Sequence, residues 1–421
     1  MRASACIESL WGGYMQIDRN GQNTIVRYLP MRVAVVLGTR PEAIKMAPVI
    51  HELKKCFDLF DVVVIATAQH REMLDQALSL FGIVPNHDLN LMYPGQSLSL
   101  LTSRVLDHMD LALGRIKPDM VLVQGDTTTV FATSLAAFYR KIPVAHVEAG
   151  LRSHDMLNPF PEEGMRRLTT VLTEINFAPT PLARTMLLKE GVSPQKITVT
   201  GNTVVDSLHY ILSKPFSCLG TPLEGIDFDN YRTILVTCHR RETLGKDLEE
   251  ICLALLDIIK EFPDVRVVYP VHLNPEVQST ARRILSDVDR VHLIPPLDYL
   301  TFVNLMKRTH LILTDSGGLQ EEAPTLCKPL FVLRRVTERP EAFNEGLSKV
   351  IGTSREAIVK ETSHLLRDAE FYSATTCGKN PYGDGAASSR IVEALQRWSR
   401  GLLPLLDPDR EFTYRNGNGG L

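Results

Sequence analysis

The chain has 421 residues, of which 44% are hydrophobic and 23% charged, with 26 glycines and 25 prolines. That balance suits two to three globular domains and excludes a largely disordered or collagen-like chain. Lys plus Arg number 46 against 49 for Asp plus Glu, a formal charge of −3, so there is no basic footprint for nucleic acid and no polybasic arm for a membrane surface.

No apolar run approaches the roughly 18 to 20 residues that cross a bilayer, and the N-terminus lacks the charged-then-apolar layout of a secretory signal. A cytoplasmic protein is expected. The seven cysteines, Cys6, Cys56, Cys218, Cys238, Cys252, Cys327 and Cys377, are scattered and form no CxxC pair. They support neither a disulfide framework nor a zinc knuckle.

Along the chain, residues 1–30 show neither sustained alternation nor a helical stripe and read as a loose leader, which leaves Met31 as a candidate start. From there apolar runs and helical stretches alternate. RVAVVLG precedes a helix from Glu42 to Lys55, DVVVIAT a helix from Arg71 to Phe81, DMVLVQG a helix from Thr128 to Tyr139, and PVAHVEA follows. Strands that are apolar on both faces and separated by helices imply a parallel sheet covered on both sides. Residues 215–230, rich in Pro, Gly and Asp, read as a linker. A second series then begins with RTILVTC, VRVVYPV, RVHLIPP, HLILTDS and KPLFVLR.

The predicted class is therefore α/β, with two Rossmann-like doubly wound domains, 31–214 and 231–380, facing across a cleft. A helix at 381–400 is expected to cross back to the first domain, followed by a tail at 401–421. In such folds ligands bind at the carboxyl ends of the strands.

The unusual strings fall at those ends. GTRPEAIK turns at Gly38 and then offers Arg40 and Lys45 near a helix start, where both can face an anion or simply sit on the surface. GxGxxG and GxxxxGK[ST] are missing from this loop, which argues against nicotinamide binding and ATP-driven chemistry. In HLILTDSGGLQEE, Ser316, Gly317 and Gly318 lead from a strand into a helix, so bare N–H groups and the helix dipole form a phosphate seat. Glu322, one turn on, can accept from ribose hydroxyls, though a Gly-Gly helix entry with exposed acids also occurs in many unliganded loops. Three acids, Asp126 in VQGDTTT, Glu148 in HVEAGLRS and Glu162 in NPFPEEGMRR, could divide acid and base roles; Asp126 could equally cap the helix that follows it.

His239 in VTCHRRET and His272 in YPVHLNP follow strands of the second half, where an imidazole could meet a departing phosphate or serve as a structural residue. No HExxH or close-spaced His/Cys set points to a metal. The strings Asp227-Phe-Asp229, Asp287-Val-Asp289 and Asp407-Pro-Asp409 follow no predicted strand and read as turn chemistry.

Together, GTRPEAIK, QHREMLDQ, GDTTT, EAGLR, PEE, GNTVVD, HRRE, PVHLNP, DSGGLQEEAP, TERPEA and NPYGDG stand in this order from about Met31 to Trp398. The chain thereby resembles the bacterial non-hydrolysing UDP-N-acetylglucosamine 2-epimerases. The resemblance implies a B-type glycosyltransferase arrangement, a homodimer, and reversible conversion of UDP-N-acetylglucosamine to UDP-N-acetylmannosamine. The implied route is elimination of UDP to 2-acetamidoglucal and re-addition, with no cofactor or metal, supplying N-acetylmannosamine units for surface polysaccharide synthesis.

By motif, Asp126, Glu148 and Glu162 match the family's catalytic acids, and His239 matches the histidine that assists UDP departure. Arg40, Lys45, Ser316, Gly317, Gly318 and Glu322 match nucleotide-binding positions. Gln69, Glu72, Arg240 and His272 lie in segments where a second substrate molecule acts as allosteric activator.

The chain departs from the pattern at Arg335-Val336, where relatives carry an acid and a threonine. It also has Glu72 where some have glutamine, and Ala386 where lysine is common. Rival readings are a hydrolysing epimerase that releases N-acetylmannosamine and UDP, a UDP-sugar glycosyltransferase, and a nucleotide-sugar binding or regulatory protein without turnover.

Overall fold

A computed structural model describes residues 13–17, 23–27, 29–67, 71–93, 95–240, 243–335, 337, 339–376 and 378–414. They divide into two compact units. The described residues of Met1–Ala178, Leu182–Val199 and Ser388–Glu411 form the first; those of Pro179–Pro181, Thr200–Ala387 and Phe412–Leu421 form the second.

Within the leader, β1 (Gly13–Ile17) and β2 (Asn23–Arg27) pair as an antiparallel hairpin. The sequence reading found no regular element there; the β-branched run Thr24-Ile25-Val26 was the available signal.

The main sheet of the first unit contains β3 (Met31–Leu37), β4 (Phe60–Ala66), β5 (His87–Asp88), β6 (Met120–Gln124), β7 (Val144–Val147), β8 (Ile175–Ala178) and β9 (Ile197–Val199). All its pairings are parallel, in the order β5-β4-β3-β6-β7-β8-β9. Val33 to Leu37 and Met120 to Val123 are buried on both faces, as an all-parallel sheet requires.

The connecting helices are α1 (Arg40–Lys55), α2 (Arg71–Leu80), α3 (Leu98–Ile116), α4 (Thr128–Tyr139), α5 (Glu162–Leu172) and α6 (Pro181–Lys189). Helix α3 was not read from the sequence. Its buried Leu101, Val105, Met109, Leu113 and Ile116 recur at helical spacing, and the Ser97 hydroxyl caps it by accepting the Leu100 N–H at 3.2 Å.

The second unit opens with α7 (Thr203–Leu212) and continues through β10 (Arg232–Thr237), α8 (Lys246–Glu261), β11 (Val265–Pro270), α9 (Pro275–Leu285), β12 (Val291–Ile294) and α10 (Tyr299–Arg308). There follow β13 (Leu311–Thr314), α11 (Gly317–Glu322), β14 (Leu330–Val332), α12 (Pro340–Asn344), β15 (Ser348–Val350), α13 (Arg355–Arg367) and α14 (Ala369–Thr376). Its parallel sheet runs β12-β11-β10-β13-β14-β15. Ile234, Val236, Leu255, Val267, Tyr269 and Leu313 lie in a core cluster of this unit.

Both strand orders reverse direction at the first strand of the main sheet, between β3 and β6 and between β10 and β13, which is the doubly wound switch point. The loops after those four strands are therefore the expected ligand loops. They carry Gly38–Arg40, Gly125–Thr127, Cys238–Arg240 and Asp315–Gly318.

Two boundaries differ from the sequence reading. Apart from Pro179–Pro181, the chain enters the second unit at Thr200, ahead of 214. Helix α7 packs on α10 and α11, and Val204, Val205, Leu208 and Ile211 are buried. In the same unit NPYGDG closes on GNTVVD: the Asn202 N–H donates to the Tyr382 carbonyl at 2.6 Å. A Cβ on Gly385 (φ +82°) would lie 2.3 Å from His209 Nδ1, so glycine is needed there.

Most of α15 (Ala387–Ser399) belongs to the first unit. Part of the stretch read as a tail is packed there too. Leu405 and Leu406 are buried, and Glu411 accepts from Arg184 Nη1 at 2.7 Å and the Thr198 hydroxyl at 3.1 Å. Among the described residues no helix is long and apolar enough to cross a membrane.

Candidate active site

In the first unit the strand-to-helix turn after β3 is tight. A Cβ on Gly38 would lie 2.5 Å from Thr129 Oγ1 and 3.0 Å from Thr67 Oγ1, so this position must be glycine. Thr39 caps α1, and Glu42 folds back to accept the Gly38 and Thr39 N–H groups on Oε2 at 2.5 and 2.7 Å. Its other oxygen accepts the Thr127 hydroxyl at 2.6 Å, tying this loop to the one after β6. Burial pushes the Glu42 carboxyl up to about 7 against those three donors. Arg40 is half-buried at the first position of α1.

Helix α4 is capped by Thr127, whose hydroxyl accepts the Val130 N–H at 3.3 Å. That settles the alternative for Asp126, which is not the cap. Asp126 Oδ2 instead receives Arg166 Nε at 2.9 Å and Nη2 at 2.7 Å. Arg166 Nη1 also donates to Glu163 at 3.0 Å. Burial raises the Glu163 carboxyl, but the Ser153 N–H and Arg166 outweigh it and hold the group below its ordinary value.

Glu148 follows β7 with φ +65°, a left-handed backbone that is strained for a residue with a side chain. Its carboxylate is gripped by Lys45 Nζ at 2.8 and 2.7 Å and by the Gln124 amide. Lys45, expected at a nucleotide-binding position, is an ion-pair partner of Glu148, and both are buried. Glu162, the first residue of α5, leaves Oε2 buried with no hydrogen-bond partner among the described residues.

His146, two residues before Glu148, is buried with Nε2 2.7 Å from the Gly125 carbonyl. Burial lowers its pKa to about 4. The ring is therefore neutral at pH 7, Nε2 is the donor, and Nδ1 is buried with no partner among the described residues.

In the second unit Asp315 organises the loop after β10. Its Oδ2 accepts the His239 and Arg240 N–H groups, each at 2.8 Å, and the Thr243 hydroxyl at 2.7 Å. Oδ1 lies 3.2 Å from His239 Nδ1. Burial raises the Asp315 carboxyl, yet His239 and the loop N–H donors prevail and keep it below its ordinary value. His239 and His272 stack with ring centroids 5.5 Å apart.

Ser316 stands at the N-cap of α11 without capping it through its side chain. Gly317 is the first residue of that helix, and a Cβ on Gly318 would meet open space. Glu322 is buried and accepts the Tyr299 hydroxyl at 2.5 Å.

The structure thus joins His239 to Ser316 through Asp315, and Lys45 to Glu148. Glu72 is exposed at the start of α2, Arg240 is half-buried, and Gln69 lies outside the described residues, as do Val336 and Glu338. Sequence reasoning missed Glu42, Gln124, His146, Arg166, Tyr299 and Asp315. Five of them stand inside or beside quoted strings, but nothing local says which partner each meets. The Asp227 string does close a turn, accepting the Asp229 and Asn230 N–H groups at 3.1 Å each.

Residues 52–396 match the family model described as UDP-N-acetylglucosamine 2-epimerase. The chain is 52% identical over 372 residues to UDP-N-acetylglucosamine 2-epimerase of Escherichia coli K12, covering 87% of this chain and 98% of that protein. It is similar to the crystal structure of UDP-GlcNAc 2-epimerase from Neisseria meningitidis bound to UDP-GlcNAc, at 49% identity and a TM-score of 0.82, covering 87% of this chain and 100% of that one. The Methanocaldococcus jannaschii enzyme in complex with UDP-GlcNAc and UDP is similar at 34% identity and a TM-score of 0.72, covering 87% and 99%.

Proposed function

The chain belongs to the UDP-N-acetylglucosamine 2-epimerase family, and from that premise we propose that it interconverts UDP-N-acetylglucosamine and UDP-N-acetylmannosamine by eliminating UDP to 2-acetamidoglucal and adding it back. Carbon 2 of the sugar has no adjacent carbonyl to acidify its proton. Loss of UDP from carbon 1 opens the elimination route.

The observation that carries this reading is the set of three carboxylates in different surroundings: Asp126 on Arg166, Glu148 on Lys45, and Glu162 with an oxygen that has no hydrogen-bond partner among the described residues. Removing a proton and returning one on the opposite face asks for more than one acid–base group, and distinct surroundings let carboxylates take distinct roles. His239, held by Asp315, is assigned to the departing diphosphate, which rests on Ser316, Gly317 and Gly318 with Arg40; Glu322 takes the ribose. No cofactor or metal is assigned a role.

The protein is further proposed to be a cytoplasmic homodimer that supplies N-acetylmannosamine units for surface polysaccharide. Exposed Leu111, Phe138, Tyr139, Leu168 and Val171 on α3, α4 and the helix packed beside α4, α5, support pairing. A second substrate molecule is proposed as activator in the segments of Gln69, Glu72, Arg240 and His272, on the resemblance of those segments to the family's.

The test is incubation with UDP-N-acetylglucosamine in deuterated water without an acceptor. Two sugar nucleotides at equilibrium, labelled at carbon 2, are expected. Stoichiometric free UDP would indicate the hydrolysing reaction instead, and no turnover until an acceptor is added would indicate a glycosyltransferase.

A further inference from the structure

We propose that Glu42 and His146 are positioning residues for Asp126, clamping the turn Gly125–Asp126–Thr127 from two sides. The inference rests on the role given to Asp126 above. Three consecutive residues of this turn are each held by a side chain from a different element. His146 of β7 holds the Gly125 carbonyl at 2.7 Å, Arg166 of α5 holds the Asp126 carboxylate, and Glu42 of α1 holds the Thr127 hydroxyl at 2.6 Å. Gly125 has φ +85°, so the chain reverses sharply just before the acid.

All three holders are buried ionisable groups, and two of them carry a marked burial cost on their charged form. His146 strands a buried Nδ1, and its neutral ring reflects the cost of burying an imidazolium. The Glu42 carboxylate is likewise disfavoured by burial. A leucine at position 146 would fill similar space without these penalties but would release the turn, and a leucine at position 42 would release it while also leaving the Gly38 and Thr39 N–H groups without their acceptor. Stability gives no reason for the buried histidine, and the α1 capping box accounts for only one oxygen of Glu42, whereas fixing an acid to within a fraction of an ångström accounts for His146 and for the Glu42 oxygen on Thr127.

The experiment compares His146→Leu with His146→Gln, and Glu42→Leu with Glu42→Gln. Glutamine Nε2 can replace the histidine donor to Gly125, and at position 42 glutamine can still meet the two amides and Thr127. Positioning predicts that each leucine variant lowers kcat by about 10- to 100-fold with KM changed less than about threefold, while Tm holds or rises in His146→Leu and falls in Glu42→Leu, which also loses the α1 capping box. Each glutamine variant recovers kcat to within about threefold of the parent.

Thr127→Val and Thr127→Ser repeat the comparison from a half-buried position should a leucine protein fail to fold, valine expected slow and serine near normal. Unchanged kcat in the leucine and valine proteins, with Asp126→Asn inactive, overturns the clamp alone. A fully active Asp126→Asn protein overturns the role of the acid itself.

Discussion

Arg166 lays two nitrogens on one oxygen of Asp126, Nε at 2.9 Å and Nη2 at 2.7 Å from Oδ2, while its third nitrogen reaches the buried Glu163. The guanidinium thus fixes the acid from a helix 40 residues further along the chain, using a planar fork that lysine cannot reproduce. Arg166→Lys is expected to lower kcat by roughly 10- to 100-fold with the fold intact. Arg166→Met leaves Glu163 without its main cation and is expected to cost about 3 kcal/mol in urea denaturation. Parental kinetics in the lysine variant would contradict the assignment.

The Lys45–Glu148 pair is buried and doubly bonded, at 2.8 and 2.7 Å. Breaking it from one side strands a charge, so Lys45→Met and Glu148→Leu are each expected to destabilise by about 3 to 5 kcal/mol. The double variant should lose less than the sum, because neither charge is then left alone. Strict additivity in a double-mutant cycle would show that the two side chains are not coupled.

Asp315 accepts three hydrogen bonds on one oxygen, from two backbone N–H groups and the Thr243 hydroxyl. Asparagine offers a single carbonyl oxygen and places an NH₂ near His239 Nδ1. Asp315→Asn is expected to lower stability by about 1 to 3 kcal/mol and to weaken UDP binding measured by calorimetry. Unaltered affinity for UDP would separate the His239 loop from diphosphate recognition.

The two shifted groups beside Asp126 give opposite pH dependences. Glu42 is raised from 4.5 to about 7, so its contribution to stability is full below 4.5 and is lost as pH rises towards 7. His146 is lowered from 6.5 to about 4, so its contribution is full above 6.5 and is lost as pH falls towards 4. Each window is worth about 3 kcal/mol at most. Relative to the parent, Glu42→Gln should therefore gain stability between pH 5 and 8, and His146→Gln should gain it between pH 7 and 4.5. Parallel urea midpoints for parent and variants across that range would refute both assignments.

By itself the sequence determined the alternation of buried strands and helices, the two-sheet class, and the strand-end loops where the unusual motifs fall. These are local properties: side-chain period and β-branching select strand or helix within about ten residues. It also contained Asp126, Glu148 and His239, but not their partners.

Only the tertiary structure decided that Thr127 caps α4 and so frees Asp126 for Arg166, that Lys45 meets Glu148, and that Asp315 holds the His239 loop. It also decided that α7 packs with the second unit. Those pairings join residues that strand order brings side by side, across separations such as 103 for Lys45 and Glu148. Which cation settles on which acid depends on competing burial and hydrogen bonding, which exist only once the sheet has formed.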